Sequence, residues 1–267
     1  MSLLGTTKLL LRRHRIFPKR RLGQNFMVEA SVFERMTDYA SLIKDDVVLD
    51  AGAGLGFLTA FLAARCASVV AVEADSALVR VLREQLARVS NVQVIEGNVL
   101  KVNVPRFDKV VAIPPYQISS RLLLWLLHRE FELGVLVFQR EFASRLVAFV
   151  GSSDYGWLTV VAYYYVEVEV LDDVPKGMFF PQPKVGSVIV RLKPRKPSPF
   201  KVVDVVFFER LVRSLFAQRN RKVRNAIQPF LHSAGLEVSV DSVPFCGRRV
   251  RELAPEDFGV LANAVAE

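Results

Sequence analysis

The chain has 267 residues, 51% of them hydrophobic, and a formal net charge of +9, so a large domain with a buried core and a smaller second domain are expected. No apolar run reaches the ~18–20 residues of a membrane span, and the basic N-terminal segment does not resemble a secretory signal. Two distant cysteines and three scattered histidines argue against a disulfide framework or a metal site, which favours a cytoplasmic, metal-free protein. Nothing in the sequence demands more than a monomer.

The positive charge is concentrated in two segments of the chain. Residues 1–26 hold seven Lys and Arg and no acid, and residues 193–225 hold ten Lys and Arg against two acids. Residues 27–192 carry a net charge of −3. Because clustered cations are typical of proteins that bind a phosphate backbone, this distribution favours a polyanionic partner.

Between Asp46 and about Phe138, short β-branched runs alternate with helical stretches. Near-continuous apolar runs are typical of buried parallel strands, and their alternation with helices predicts a doubly wound α/β sheet. The predicted strands are Val47–Ala51, Val69–Val72, Val92–Ile95, Lys109–Ala112 and Gly134–Phe138, with helices at Thr59–Ala64 and Ala77–Val89.

The pattern changes in the second half of the chain. The valine-rich stretch Trp157–Val170 favours a strand, and Val166–Leu171 with Val185–Leu192 predicts an antiparallel pair at one edge of the sheet. After a Pro-rich linker, the stretches Val202–Ala217, Arg221–Ala234 and Pro255–Ala266 have helical periodicity. The predicted organisation is a basic N-terminal arm (residues 1–26), a cofactor-binding domain (27–195) and a helical domain (196–267).

A glycine-rich turn follows the first of these strands. Residues 50–56 read Asp-Ala-Gly-Ala-Gly-Leu-Gly, with Gly52, Gly54 and Gly56 placed where a strand ends and a helix begins. Glycines allow a tight turn and close approach of a ligand. The carboxylate of Asp50 is unfavourable beside a dinucleotide's phosphates, so a cofactor with an amino group and a sulfonium cation, S-adenosylmethionine, fits better than a nicotinamide cofactor.

Two further strand ends carry side chains suited to an adenosyl group. Glu73 ends the second strand, about twenty residues after the glycine turn, where a carboxylate accepts hydrogen bonds from ribose hydroxyls. Asn98 follows the third strand, and its side-chain oxygen could accept from an adenine amine or simply stabilise a turn. These positions predict an adenosyl-binding crevice at the carboxyl edge of the sheet.

The fourth strand is followed by Ile113-Pro-Pro-Tyr116. Two consecutive prolines stiffen a loop, and Tyr116 offers a flat ring for stacking. From these residues alone, a rigid strand-to-helix turn and a substrate-binding loop both remain open.

Eight sequence blocks in fixed order resemble those of the ribosomal small-subunit adenine dimethyltransferases. The resemblance extends from about Arg21 to Phe258, and the block at 179–187 is its most specific part. The blocks are Arg21–Phe26, Val48–Thr59, Val72–Asp75, Gln139–Arg145, Tyr155–Val160, Phe179–Ser187, Phe216–Asn225 and Arg251–Glu256.

The resemblance implies a Rossmann-like class I methyltransferase sheet, mostly parallel with the last strand antiparallel, and a small C-terminal helical domain. It implies S-adenosylmethionine as cofactor and small-subunit ribosomal RNA, or the assembling small subunit, as partner during ribosome biogenesis. The implied cofactor-binding residues are Gln24, Asn25, Asp50, Gly52, Gly54, Gly56, Glu73, Asn98 and Ile113. The implied catalytic residues are Ile113, Pro114, Tyr116 and Phe179, and the implied RNA-binding residues are Arg20, Arg21, Arg145, Arg219, Arg221, Lys222 and Arg224.

Two positions depart from the family pattern. The family has Asn where this chain has Ile113, and an isoleucine cannot accept a hydrogen bond from the target amine, a loss of ~1–3 kcal/mol. The family has Asp where this chain has Asn98, which keeps an acceptor oxygen. The expected reaction is methylation of adenine N6, with dimethylation of adjacent adenosines.

Three other functions remain open. Ile113 is compatible with an RNA-binding assembly or transcription factor in which methyl transfer is weak or lost. Adenine methyltransferases of the large ribosomal subunit share the core but are less compatible with the basic C-terminal region. A DNA adenine methyltransferase is disfavoured because the sequence shows no separate domain for reading DNA.

Overall fold

The computed structural model describes residues 2–266, apart from the side chain of Arg20. The chain divides into two compact units. The first unit comprises Met1–Ala143 and Glu169–Pro194, and the second comprises Ser144–Val168 and Arg195–Glu267. Within residues 2–266, no helix is both long enough and apolar enough to cross a membrane.

Helices and strands alternate through most of the chain. In order they are α1 (Leu3–Arg13), β1 (Phe26–Met27), α2 (Ala30–Tyr39), β2 (Val47–Ala51), α3 (Phe57–Ala63), β3 (Ser68–Glu73), α4 (Ser76–Gln85), β4 (Val92–Glu96), β5 (Lys109–Ala112), α5 (Ser119–Leu127), β6 (Leu133–Gln139), α6 (Arg140–Leu146), α7 (Trp157–Tyr165), β7 (Val166–Val174), β8 (Phe179–Phe180), β9 (Ser187–Pro194), α8 (Val205–Phe216), α9 (Val223–Ala226), α10 (Gln228–Ala234) and α11 (Pro255–Ala266).

Seven strands form one sheet in the order β4-β3-β2-β5-β6-β9-β7. Strands β2 to β6 pair in parallel, and β9 pairs antiparallel with β6. The sheet confirms the predicted fold class. Its strand order reverses between β2 and β5, and the carboxyl ends of strands at such a switch point form the usual ligand crevice of an open α/β sheet.

The predicted strand across Trp157–Val170 is wrong in its first half. Residues 157–165 form α7, and the strand begins only at Val166. The hydroxyl of Thr159 accepts from the Gly156 N–H at 3.1 Å, and most of the helix is buried among the helices of the second unit. Tertiary packing of this mostly apolar helix thus outweighs the β propensity of its valines.

The compact units also differ from the predicted domain boundaries. Residues 144–168, expected in the cofactor-binding domain, group with the C-terminal helices. The expected N-terminal arm belongs to the first unit, because Leu10, Leu11 and Ile16 are buried against Leu55 and other residues of that unit. The stretch 221–234 forms two short helices, the second of which has a proline in its first turn.

Candidate active site

The glycine turn lies at the switch point, between β2 and α3. The N–H groups of Gly52 and Ala53 both donate to the carbonyl of Val72 in β3, at 2.8 and 3.1 Å. Gly52 has φ +91°, and a Cβ added there would lie 2.9 Å from Cδ of Pro115. Only glycine therefore fits the close approach of this turn to the loop after β5.

Asp50 is the second-last residue of β2, and its carboxyl group is buried, with the residue 1% exposed. The hydroxyl of Thr59 in α3 donates to its Oδ2 at 2.7 Å. Burial raises the pKa of Asp50 to about 7, the charge of Glu73 adds to the rise, and the Thr59 hydrogen bond opposes it. A carboxylate with this pKa is poised to gain its negative charge when a cation lies beside it.

Glu73 connects the glycine turn to the end of β3. Its Oε2 accepts from the Gly54 N–H at 2.9 Å and its Oε1 accepts from the Asp75 N–H at 2.8 Å. Burial raises the pKa of Glu73, whereas these main-chain hydrogen bonds lower it. The side chain therefore supports the turn, and its oxygens are engaged by main-chain donors at the position where ribose hydroxyls are expected.

Two adjoining pockets border the glycine turn within the first unit, and both are lined by Asn25, Gly52, Gly54 and Ile113. The first also contains Asp50, and the second contains Glu73, Pro114, Tyr116 and Phe179. Among the side chains that the structure describes, neither lining includes a Lys or Arg. Two carboxylates in linings that contain no cation among the described side chains suit a positively charged ligand and disfavour a phosphate.

The remaining predicted cofactor residues border the same crevice but have protein partners. Gln24 accepts from the Lys19 N–H and donates to Asp75, each at 2.8 Å. Asn98 accepts from the Leu100 N–H at 3.0 Å, which is the turn-stabilising geometry. A third pocket nonetheless brings Asn98, Gln24 and Gly52 together.

The loop after β5 brings the predicted catalytic residues together. Ile113 packs against the core of the first unit, and Pro114 is buried. The Tyr116 hydroxyl is 2.6 Å from Oγ of Ser187 on β9, and burial raises its pKa despite that hydrogen bond. Its ring contacts Phe179 edge to face, with ring centroids 6.3 Å apart. Because Phe179 is only 2% exposed, no slot for a base lies between the two rings in the structure.

The predicted RNA-binding residues divide into two groups. Arg21, Arg145, Arg221, Lys222 and Arg224 are exposed. Arg219 instead donates to the carbonyls of Ser152 and Ser153, both at 2.7 Å, and so holds a loop within the second unit. The side chain of Arg20 lies outside the described part of the structure.

Sequence reasoning missed the roles of Thr59, Pro115 and Ser187. Thr59 and Ser187 lie inside recognised blocks, and Pro115 lies in the Ile113–Tyr116 loop. The partner of each comes from another element: Asp50, Tyr116 and Gly52 respectively. No local sequence signal identifies such pairs. Among residues 2–266, no group of three or more His, Cys, Asp and Glu side chains is placed to hold a metal ion.

Comparisons with known proteins place the chain in a family. The family model described as ribosomal RNA adenine dimethylase matches residues 17–265. A probable ribosomal RNA small subunit methyltransferase A from Methanosarcina acetivorans is 43% identical over 90% of this chain and 91% of its own.

Two solved structures have the same fold. A dimethyladenosine transferase from Plasmodium falciparum superimposes with a TM-score of 0.75 and 26% identity, covering 87% of this chain and 94% of the other. The 23S rRNA methyltransferase ErmE superimposes with a TM-score of 0.66 and 28% identity, covering 91% and 100%. With a family model spanning almost its whole length and relatives above 40% identity, the chain belongs to the ribosomal RNA adenine dimethylase family.

Proposed function

We propose that this protein transfers methyl groups from S-adenosylmethionine to adenine N6 in small-subunit ribosomal RNA, dimethylating adjacent adenosines during ribosome biogenesis. The observation that carries the proposal is the pair of adjoining pockets that join Asp50 and Glu73 to the Ile113–Tyr116 loop, in a member of the adenine dimethylase family. The small-subunit name of the 43% identical relative supports the choice of RNA.

The cofactor site fits S-adenosylmethionine on electrostatic and steric grounds. The cofactor is cationic, and the described side chains of the two pockets include two carboxylates and no Lys or Arg. At Gly52, a Cβ would fill the space between the turn and Pro115. When bound, the cofactor supplies an electrophilic methyl group on its sulfonium sulfur. Asp50 is the residue that balances positive charge here, and Glu73 positions the glycine turn.

The protein's part in the reaction is to position the adenine amine. Adenine N6 needs alignment with the methyl group more than it needs deprotonation, and fixed alignment lowers the entropic cost of the step. The carbonyl of Pro114 accepts from the amine in our proposal, and the Tyr116 ring stacks on the base, oriented by its hydrogen bond to Ser187. Phe179 provides the opposite face once its ring moves out of contact with Tyr116.

The exposed cations bind RNA phosphates. Arg21 in the first unit and Arg221, Lys222 and Arg224 in the second are exposed, and Arg145 and Arg20 complete the proposed set. Phosphate contacts of this kind position an RNA without reading its sequence, so selection depends on RNA shape and unpaired bases. Binding should therefore weaken steeply as salt concentration rises.

A second candidate function is an RNA-binding assembly factor without methyl transfer. Ile113 favours it, because an aliphatic side chain lines both pockets where the family has an amide acceptor. The intact glycine turn and the buried pair of Asp50 and Glu73 favour the enzyme.

The deciding experiment is transfer of labelled methyl groups to unmethylated small-subunit particles, with nucleoside analysis of the RNA. The proposal expects N6,N6-dimethyladenosine from the wild-type protein. Tyr116→Ala should lose most turnover, whereas Tyr116→Phe, which keeps the ring, should retain more of it. Cofactor and RNA binding without any transfer would overturn the proposal in favour of the assembly factor, and full turnover of Tyr116→Ala would remove that residue's role.

A further inference from the structure

A groove lined by aromatic and basic side chains lies on the first unit, apart from the pockets of the candidate active site. It is bordered by α1, by the turn that follows this helix and by Phe180. Phe17 is 83% exposed at its edge, although a large aromatic ring is costly to leave in water. The remaining lining residues are Lys8, Leu11, Arg12, Arg15, Ile16 and Pro18.

The charge of this groove is one-sided. Lys8, Arg12 and Arg15 are exposed, and the described lining of the groove contains no acidic side chain. None of the three cations forms an ion pair with a described residue. The ammonium of Lys8 lies 5.2 Å from the centre of the Phe180 ring. Aromatic faces beside cations that track a backbone are the combination that binds single-stranded nucleic acid.

The groove is connected to the active-site pocket through one short strand. Phe179 lines the pocket with Tyr116, and Phe180, the next residue of β8, lines the groove. Successive side chains of a strand point to opposite faces. Strand β1 pairs with β8 at this point, with Phe26 opposite Phe180. The two surfaces therefore adjoin at one strand, where the consecutive residues Phe179 and Phe180 line one surface each.

We propose that the groove binds an unpaired nucleotide of the substrate RNA that flanks the target adenine. Its base stacks on the rings of Phe17 and Phe180, and Lys8, Arg12 and Arg15 bind the adjoining phosphates. Most of these residues precede residue 17, where the family match begins. The inference rests on the proposed function, because it treats RNA as the substrate.

The test is binding of a short single-stranded oligoadenylate in which 2-aminopurine replaces one base, so that stacking quenches its fluorescence. Phe17→Ala should weaken binding about tenfold and abolish most of the quenching, since each base stacked on an aromatic ring contributes on that scale. Phe17→Trp should retain both signals, and Phe17→Leu, which keeps apolar bulk but no ring, should lose the quenching. The double variant Arg12→Gln, Arg15→Gln should bind with a shallower slope of log affinity against log salt concentration. The reduction should correspond to the loss of about two phosphate contacts.

Leu9→Ala is the control, because Leu9 is an exposed apolar residue of α1, the helix that borders the groove, but does not line the groove itself. It should bind the oligonucleotide like the wild type, and all variants should bind S-adenosylmethionine normally. Equal affinity and quenching for wild type and Phe17→Ala would overturn the inference and leave the groove as a surface for a protein partner. Phe17-dependent quenching without methyl transfer to small-subunit particles would overturn the proposed function but not the groove.

Discussion

The buried carboxylate of Asp50 should reduce the stability of the protein while serving its cofactor site. Asp50→Asn keeps the shape of the side chain and an acceptor for the Thr59 hydroxyl. It removes the ionisation whose pKa burial raises to about 7. We therefore expect the variant to be more stable than the wild type at neutral pH and to bind S-adenosylmethionine more weakly.

The size of the stability effect follows from linkage. Raising this pKa from 3.8 to about 7 corresponds to about 4 kcal/mol against the ionised folded state. The new amide N–H₂ is a buried donor that needs a hydrogen-bond partner, and this requirement offsets about 1–3 kcal/mol of that gain in stability. The expected gain is about 2 kcal/mol, or about 5 °C in the temperature of unfolding.

The stability of Asp50→Asn relative to the wild type should increase as pH rises. Between pH 3.8 and about 7 the folded state holds one more proton on Asp50 than the unfolded state does. The wild-type stability from this residue therefore falls as pH rises through that window and is constant above it. Asp50→Asn should be less stable than the wild type near pH 4, by the cost of its amide, and should exceed the wild type most above pH 7.

Cofactor affinity should show the complementary trend. A cationic ligand favours the ionised carboxylate, so wild-type affinity should decrease below pH 7, by up to about tenfold per pH unit. The affinity of Asp50→Asn should be lower above pH 7 and independent of this titration. Calorimetric titration with S-adenosylmethionine from pH 5 to pH 8, beside thermal unfolding of the protein alone, measures both effects.

Asp46→Asn is the matched control. Asp46 is also a buried aspartate, 4% exposed, but it is paired with the buried ammonium of Lys109 at 2.9 Å. Removing its charge leaves Lys109 without a counterion and should cost about 3–5 kcal/mol. If Asp50→Asn destabilises the protein as Asp46→Asn does, or binds the cofactor with wild-type affinity, the reasoning about Asp50 is wrong.

Three further predictions concern single positions. Gly52→Ala and Gly151→Ala each place a side chain at a similar positive φ, so both should strain the backbone. Only the added Cβ at Gly52 has a close neighbour, Pro115, so only Gly52→Ala should also weaken S-adenosylmethionine binding in a titration. Arg219→Ala should make the loop that it holds sensitive to proteolysis, whereas Arg221→Ala should leave proteolysis unchanged and reduce only RNA affinity and its salt dependence. Ile113→Asn should raise methyl transfer to small-subunit particles several-fold if the missing acceptor limits the rate, and an unchanged rate would show that it does not.

Much of the first unit could be predicted because its signals are local. The strands from Val47 to Phe138 are short apolar runs separated by turns, and the glycine turn shows where one strand ends. Strand ends in a parallel sheet meet at one edge, so Asp50 and Glu73 could be placed together before their partners were known. Family membership followed from ordered sequence blocks and is confirmed by the comparisons.

The residues that sequence reasoning misjudged are those whose environment comes from distant parts of the chain. Trp157–Tyr165 has the composition of a strand but is a helix, because the helices of the second unit bury it on most sides. Arg219 belongs to a basic cluster by sequence, yet two carbonyls some sixty-six residues earlier hold its guanidinium. Local propensity and charge could not reveal either packing arrangement.

By itself, the sequence determined the fold class, the order of the strands along the chain and the turn that can approach a ligand. Only the tertiary structure decided how the site residues are charged and paired: the raised pKa of Asp50, the main-chain donors on Glu73 and the contact of Phe179 with Tyr116. The physical reason is that burial, pairing and ring contact depend on groups brought together by folding, whereas strand periodicity and turn geometry depend on neighbours in the chain.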